Sequence, residues 1–121
     1  KPLPYQILPC LANSNFKLQL ARVLVYDQQQ RTYRYLEFNR PHEIIGLEGN
    51  ISRKDGQPFV HAHIALMSEE GQMVGGHLVE GTEVFACEFV ITEFIYEADN
   101  TFERLYDEET GLFLWPFRVK P

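Results

Sequence analysis

The stretch Phe59-Val60-His61-Ala62-His63-Ile64-Ala65-Leu66-Met67, then Ser68-Glu69-Glu70-Gly71, then Gln72-Met73-Val74-Gly75-Gly76-His77-Leu78-Val79 reads as two strands joined by a hairpin turn. One face of the first strand carries His61, His63, Ala65 and Met67, and the other carries Val60, Ala62, Ile64 and Leu66. A strand advances about 3.3 Å per residue, so His61 and His63 share a face about 6.6 Å apart. Two imidazoles at that spacing can converge on one ion. A third, His77 of the next strand, completes the trio that zinc accepts when it keeps a position open for water or a ligand. The register decides whether His77 joins them. Pairing Met67 with Gln72 sets Ala62 opposite His77 and turns that ring to the other side. A one-residue bulge at Gly75-Gly76 brings His77 opposite His63 instead. The plainer alternative is three ordinary core or surface histidines.

Working outward, the period of two recurs. Phe16, Leu18 and Leu20, then Val23 and Val25, alternate with polar neighbours up to Tyr26. Asp27-Gln28-Gln29-Gln30 reads as a turn, Thr32 to Phe38 as a strand rich in Tyr and Phe. Pro41 breaks the chain. Ile44 to Ser52 is a further strand, in which Gly46 and Gly49 point to a bulge or a close backbone approach. Lys54-Asp55-Gly56 carries a turn signal. Thr82 to Phe94 is almost continuously apolar, which predicts a strand at the centre of the sheet. Phe102 to Tyr106 and Leu112 to Phe117 flank Asp107-Glu108-Glu109-Thr110-Gly111, a second hairpin. Pro2, Pro4 and Pro9 exclude a helix from the first fifteen residues, and no other segment shows a helical period. The chain reads as one domain: an irregular segment over 1–15 and a sheet domain over 16–121, with about seven antiparallel strands.

A chain of 121 residues with a formal net charge of -6 does not bind nucleic acid by bulk electrostatics. Arg31, Arg34 and Arg40 form the one candidate basic patch, and ordinary surface charge is the preferred reading of them. Between Glu93 and Glu109 the acids outnumber a single base, Arg104, which predicts a solvated acidic surface. Cys10 and Cys87 are too few for a disulfide framework and form no C-x-x-C pair. Cys87 reads as a small buried hydrophobe, and the default compartment is a reducing cytoplasm. No apolar run is long enough to span a membrane, and no signal-peptide pattern is visible. The sequence opens on Lys1 rather than Met, so an upstream part is expected to be missing from it. No nucleophile elbow, phosphate loop or dinucleotide fingerprint occurs.

Other polar residues fall near the histidines. Glu88 sits in the most apolar segment, where a carboxylate must be paired, hydrogen-bonded or protonated. It is either a structural hydrogen-bonding group or a member of the histidine pocket acting as a general base. Asn50 and Ser52 share a strand face and can line the same pocket, the alternative being turn chemistry. Gly75 and Gly76 leave room beside His77 for a ligand. Glu80 is expected at the surface, as is His42 beside Pro41.

Glu43-Ile44-Ile45-Gly46-Leu47-Glu48-Gly49-Asn50-Ile51-Ser52, Asp55-Gly56-Gln57-Pro58-Phe59-Val60-His61-Ala62-His63 and Gly75-Gly76-His77-Leu78-Val79-Glu80-Gly81 resemble the plants and prokaryotes conserved domain, the PPC domain. Glu88-Phe89-Val90-Ile91 and Arg104-Leu105-Tyr106-Asp107-Glu108-Glu109-Thr110-Gly111-Leu112 also fit, so the likeness runs from about Phe16 to the C-terminus. It implies an α+β fold dominated by an antiparallel sheet and assembled as a homotrimer. It also implies a DNA-binding or regulatory module whose three motif histidines, matching His61, His63 and His77, can hold zinc or another divalent metal. The family's opening strand and P-G-initiated helix have no counterpart before Leu11, so the N-terminal helix is expected to be missing or divergent. Plant members carry an AT-hook ahead of the domain, and no R-G-R-P occurs here. A fold-level likeness to acetolactate decarboxylase, a zinc enzyme with three histidine ligands, implies the alternative. That alternative is a zinc-dependent enzyme acting on a small oxygen-rich substrate, with Glu88 assisting proton transfer.

Overall fold

A computed structural model of the chain describes residues 5–8, 17–94 and 103–116. The strands among these residues are β1 (Tyr5–Leu8), β2 (Lys17–Asp27), β3 (Thr32–Phe38), β4 (His42–Lys54) and β5 (Gln57–Ser68). They continue with β6 (Met73–Leu78), β7 (Glu83–Val84), β8 (Val90–Glu93), β9 (Leu105–Asp107) and β10 (Leu112–Leu114). One 8-stranded sheet runs β3-β2-β6-β5-β4-β1-β8, with β7 pairing β2 beside that path. β9 and β10 form a separate two-stranded ribbon. The described residues contain no helix, which corrects the α+β class implied by the family resemblance to all-β. The physical reason lies in the burial pattern. β4 and β5 bury every second residue over long spans, and such a pattern leaves no stripe for a helix to bury.

The core lies on one face. Ala62, Ile64 and Leu66 of β5 pack with Ala21 and Val23 of β2 and with Ile44 and Leu47 of β4. Ile44 and Leu47 are three apart, a spacing that strict alternation forbids. A bulge between Ile44 and Gly46 absorbs the extra residue and leaves Ile45 exposed. Gly49 serves the other purpose anticipated for these glycines. A Cβ there would fall 2.3 Å from the His61 carbonyl oxygen and 2.6 Å from Ala62 Cα, so only glycine lets β4 approach β5. The β4–β5 turn has positive φ at both central residues, Asp55 (51°) and Gly56 (74°), as a twisted two-residue hairpin requires.

The opposite face is roofed by the β9–β10 ribbon. The Arg104 amide donates to the Arg53 carbonyl at 2.8 Å, and the Tyr26 hydroxyl donates to the Thr110 carbonyl at 2.7 Å. The ribbon is thus tied down at both its ends, and a cavity remains beneath it.

Three expectations change. Thr82 to Phe94 is not one central strand. It breaks into β7 and β8, and β8 lies at the end of the sheet path with Val90 and Ile91 exposed. Its apolar character signals a surface rather than a core position. Within the first fifteen residues, read as irregular, Tyr5–Leu8 forms a strand that pairs with both β4 and β8. His42 is not a surface residue. It starts β4, is buried, donates Nδ1–H to the Arg40 carbonyl at 2.8 Å and packs on Phe38. Cys87 is half-buried against the core, and Cys10 lies outside the described residues.

The two β4 glycines are expected to respond differently to alanine. Gly49→Ala forces backbone against backbone and lowers stability by about 1–3 kcal/mol. Gly46→Ala, with nothing within 4 Å of the added Cβ, stays within about 0.5 kcal/mol. Urea denaturation of both variants checks this, and equal effects would contradict the close-approach argument.

Candidate metal centre

β5 and β6 pair as Met67↔Met73, Leu66↔Val74, Ala65↔Gly75, Ile64↔Gly76 and His63↔His77. His77 therefore lies opposite His63, on the face that also carries His61. No bulge at Gly75-Gly76 is involved. The shift comes from the connection, where Ser68 N–H donates to the Gln72 carbonyl at 2.9 Å and Gly71 adopts a φ of 80°. The two glycines have a different purpose from the one anticipated. A Cβ at Gly75 would meet the Ile64 carbonyl oxygen at 2.3 Å, and one at Gly76 the Leu24 carbonyl oxygen at 2.7 Å. They let backbones approach, and neither lines the cavity.

The three rings cluster. Centroids lie 5.1 Å apart for His61 and His63, 5.2 Å for His61 and His77, and 4.3 Å for His63 and His77. One ligand nitrogen from each falls within 4.8 Å of the others, a set of groups that could hold a metal ion. Tyr33 packs edge-on against His77 at 5.9 Å and in turn contacts Tyr26 at 4.8 Å. Burial, then the neighbouring Tyr26, raises the Tyr33 pKa.

Arg104 is the site residue that sequence reasoning missed. It is only 6% exposed. Its Nε donates to Ser52 Oγ at 2.8 Å, Nη1 to the Phe113 carbonyl at 3.1 Å and Nη2 to Asn50 Oδ1 at 3.0 Å. Nη2 also lies 3.4 Å from His61 Nδ1. The guanidinium sits over the Trp115 ring at 4.8 Å and the Phe59 ring at 5.5 Å. Among the described residues no carboxylate forms an ion pair with it. The signal was present as the lone base in an acidic segment, yet sequence alone could not bring it to strands β4 and β5.

A cavity of about 860 Å³ lies between the sheet and the ribbon, lined by all three histidines, Arg104, Lys54 and Glu80 among mostly apolar side chains. Asn50 and Ser52 stand behind Arg104 rather than on the cavity wall. Glu88 is exposed, lies between β7 and β8 and does not line the cavity. The break in the apolar segment carries it away from the histidines. Glu80, expected at the surface, is exposed at the cavity wall. Arg31, Arg34 and Arg40 are all exposed, and Arg40 pairs with Glu70 at 2.9 Å.

The match to known proteins agrees with this architecture. The family model of the Plants and Prokaryotes Conserved (PCC) domain matches residues 14–95, and the chain belongs to that family, written PPC above. A metal-containing protein of Archaeoglobus fulgidus is 39% identical, with a TM-score of 0.78, over 93% of this chain and 74% of its own. A plant- and prokaryote-conserved (PPC) protein of Pyrococcus horikoshii is 33% identical, with a TM-score of 0.75, over 98% of this chain and 76% of its own. A candidate DNA-binding protein of Ralstonia eutropha JMP134 shares the fold at 21% identity and a TM-score of 0.73, over 95% and 74% of the two chains. No curated protein sequence matches.

Burial first, then Arg104 and the other two imidazoles, lowers the His61 pKa from 6.5 to about 4. Burial, then His63, lowers that of His77. In the unfolded chain these rings take a proton near pH 6.5. Below that pH the unfolded state binds more protons, so stability falls as pH drops from about 6.5 towards about 4. The urea midpoint of the metal-free protein is expected to decline between about pH 7 and about pH 5, and less so in His61→Asn. Equal declines in the two proteins would contradict the assignment.

Proposed function

We propose that the chain is a homotrimeric PPC-type regulatory or binding module that holds a zinc ion on His61, His63 and His77. The observation that carries this reading is the convergence of the three imidazole nitrogens within 4.8 Å. Nitrogens bound to tetrahedral zinc at about 2.0–2.1 Å sit roughly 3.4 Å apart. Closing the cluster takes ring movements on the order of 1 Å, within reach of side-chain rotation. The donor set fits: a neutral imidazole offers a lone pair to a metal, and burial lowers the proton affinity of His61 and His77. Zinc there would supply a Lewis-acidic position for a ligand oxygen. The 39% identical Archaeoglobus relative is described as metal-containing, which supports the same site.

For assembly, the support is the apolar surface. Phe85, Phe89, Val90, Ile91 and Phe94 are exposed around the terminal strand β8. Apolar patches and open sheet edges of this kind mark interfaces. DNA contact belongs to partner chains in this reading, because the net charge is -6 and Arg40 is engaged by Glu70. The cytoplasm is the proposed compartment on cysteine usage. No helix of the described residues is long and apolar enough to cross a membrane. The enzymatic alternative is the weaker reading, since its candidate proton-transfer group, Glu88, does not line the cavity.

Elemental analysis of purified protein is expected to find one zinc per chain, lost in His63→Ala. Unchanged zinc in that variant would overturn the ligand assignment, and a different divalent metal would correct the ion. Light scattering is expected to give a trimer mass, and Phe89→Asp to shift it towards monomer. A monomeric parent protein would remove the assembly reading.

A further inference from the structure

Arg104 has five N–H groups and no acceptor. Four of them face Ser52, Phe113, Asn50 and His61. The contact with His61 constrains the chemistry of both residues. A guanidinium only donates, so Nδ1 of His61 must be the accepting nitrogen of a neutral ring. Once His61 serves as a metal ligand, that arrangement cannot persist. If Nδ1 is the ligand atom, its lone pair is engaged. If Nε2 is the ligand atom, Nδ1 carries the proton and becomes a donor facing a donor. On either route Arg104 loses an acceptor and gains a free N–H on Nη2, beside the one on Nη1 that has no partner among the described residues.

The freed donors belong to a cation that lines the cavity. Lys54, whose Nζ lies 3.7 Å from the Phe113 ring centroid, adds a second positive charge at the same wall. Among the described residues Glu80 is the sole carboxylate lining it. Arg104 and a metal on the histidines would both neighbour the His61 ring. An anion able to reach both finds two N–H donors and a coordination position together, and carboxylates are matched to guanidinium N–H groups. The remaining wall, with Leu24, Phe59, Leu112 and Phe113, is mostly apolar.

We propose that the cavity is a metal-dependent carboxylate site, in which ligation by His61 releases Arg104 to bind the anionic end of a small ligand with an apolar body. This rests on the metal reading above and names the ligand class for the same site. Metal and anion are then thermodynamically coupled, each raising the affinity for the other.

Isobutyrate and its uncharged isostere isobutyramide test this by calorimetry on the zinc-loaded and metal-free protein. Zinc stoichiometry is measured first. The zinc-loaded protein is expected to bind isobutyrate about tenfold or more tightly than the metal-free protein, and to bind the amide at least about tenfold more weakly. Arg104→Gln is expected to lose that preference while keeping its zinc. Should Arg104→Gln fail to fold, Lys54→Met, which removes a cation from the cavity wall, is expected to weaken isobutyrate but not isobutyramide. Equal affinity for acid and amide, no dependence on zinc, or an unchanged preference in folded variants overturns the proposal. Zinc bound without isobutyrate overturns this inference alone, whereas no zinc at all overturns the metal reading beneath it.

Discussion

The site depends on the pairing of β5 with β6. Ile64↔Gly76 and His63↔His77 are successive steps of one ladder, so the register that fills the core also aims the histidine. A slip of one residue would exchange the two faces of β6. It would carry His77 into the place of Gly76, where a Cβ has the Leu24 carbonyl oxygen at 2.7 Å and the Val23 side chain just beyond 3 Å. No imidazole fits there. Gly76 excludes that slip sterically. The opposite slip, with Ala62 facing His77, would carry Val74 into the place of Gly75, where a Cβ has the Ile64 carbonyl oxygen at 2.3 Å. His61 and His63 need only the alternation of a single strand. The histidine cluster is thus a by-product of core packing rather than of a dedicated loop, which places its rings on strands of the main sheet.

The second determinant is how Arg104 is buried. A guanidinium removed from water usually finds a carboxylate. Here its partners are a hydroxyl, an amide oxygen, a carbonyl and an imidazole. Neutral acceptors satisfy N–H groups without cancelling the charge. The positive field of Arg104 therefore remains in the cavity, in a chain whose net charge is -6. Asn50 and Ser52 reach it because the bulge at Ile45 resets the alternation of β4, placing both on the face opposite the core.

Much of this was legible in the sequence. Period two identified the long strands β2 to β5, and Gly46 and Gly49 marked a bulge and a close approach. The i, i+2 spacing placed His61 and His63 on one face. The side of His77 was not readable, since it is set by how the connection from Ser68 to Gln72 closes. Thr82 to Phe94 was misread because an apolar segment looks the same whether it is covered by its own chain or left at a surface. Glu88 was misplaced with it. Arg104 escaped because Ser52, Asn50 and His61 lie some forty to fifty residues away in the chain, and standing as the lone base in an acidic segment does not reveal what it will pack against. The α+β class came from family likeness, and the described residues offered no 3.6-residue stripe to support a helix.

Arg104 and a divalent ion on the histidines also pose an electrostatic conflict. At a separation on the order of 6 Å and an effective dielectric of about 20, charges of two and one would repel by about 5.5 kcal/mol. Zinc-finger peptides bind zinc with about 10–16 kcal/mol, a scale on which coordination would outweigh that repulsion, at a loss of affinity. The loss is relieved if Arg104 swings away, which would abandon Ser52 and Asn50, or if an anion enters between the two cations. The first breaks hydrogen bonds that hold the roof of the cavity to its floor. The second breaks none and fills the space that already exists. An anion would therefore be the cheaper way for this fold to hold a metal beside Arg104, and the cavity lined by Arg104 and the three histidines leaves room for one.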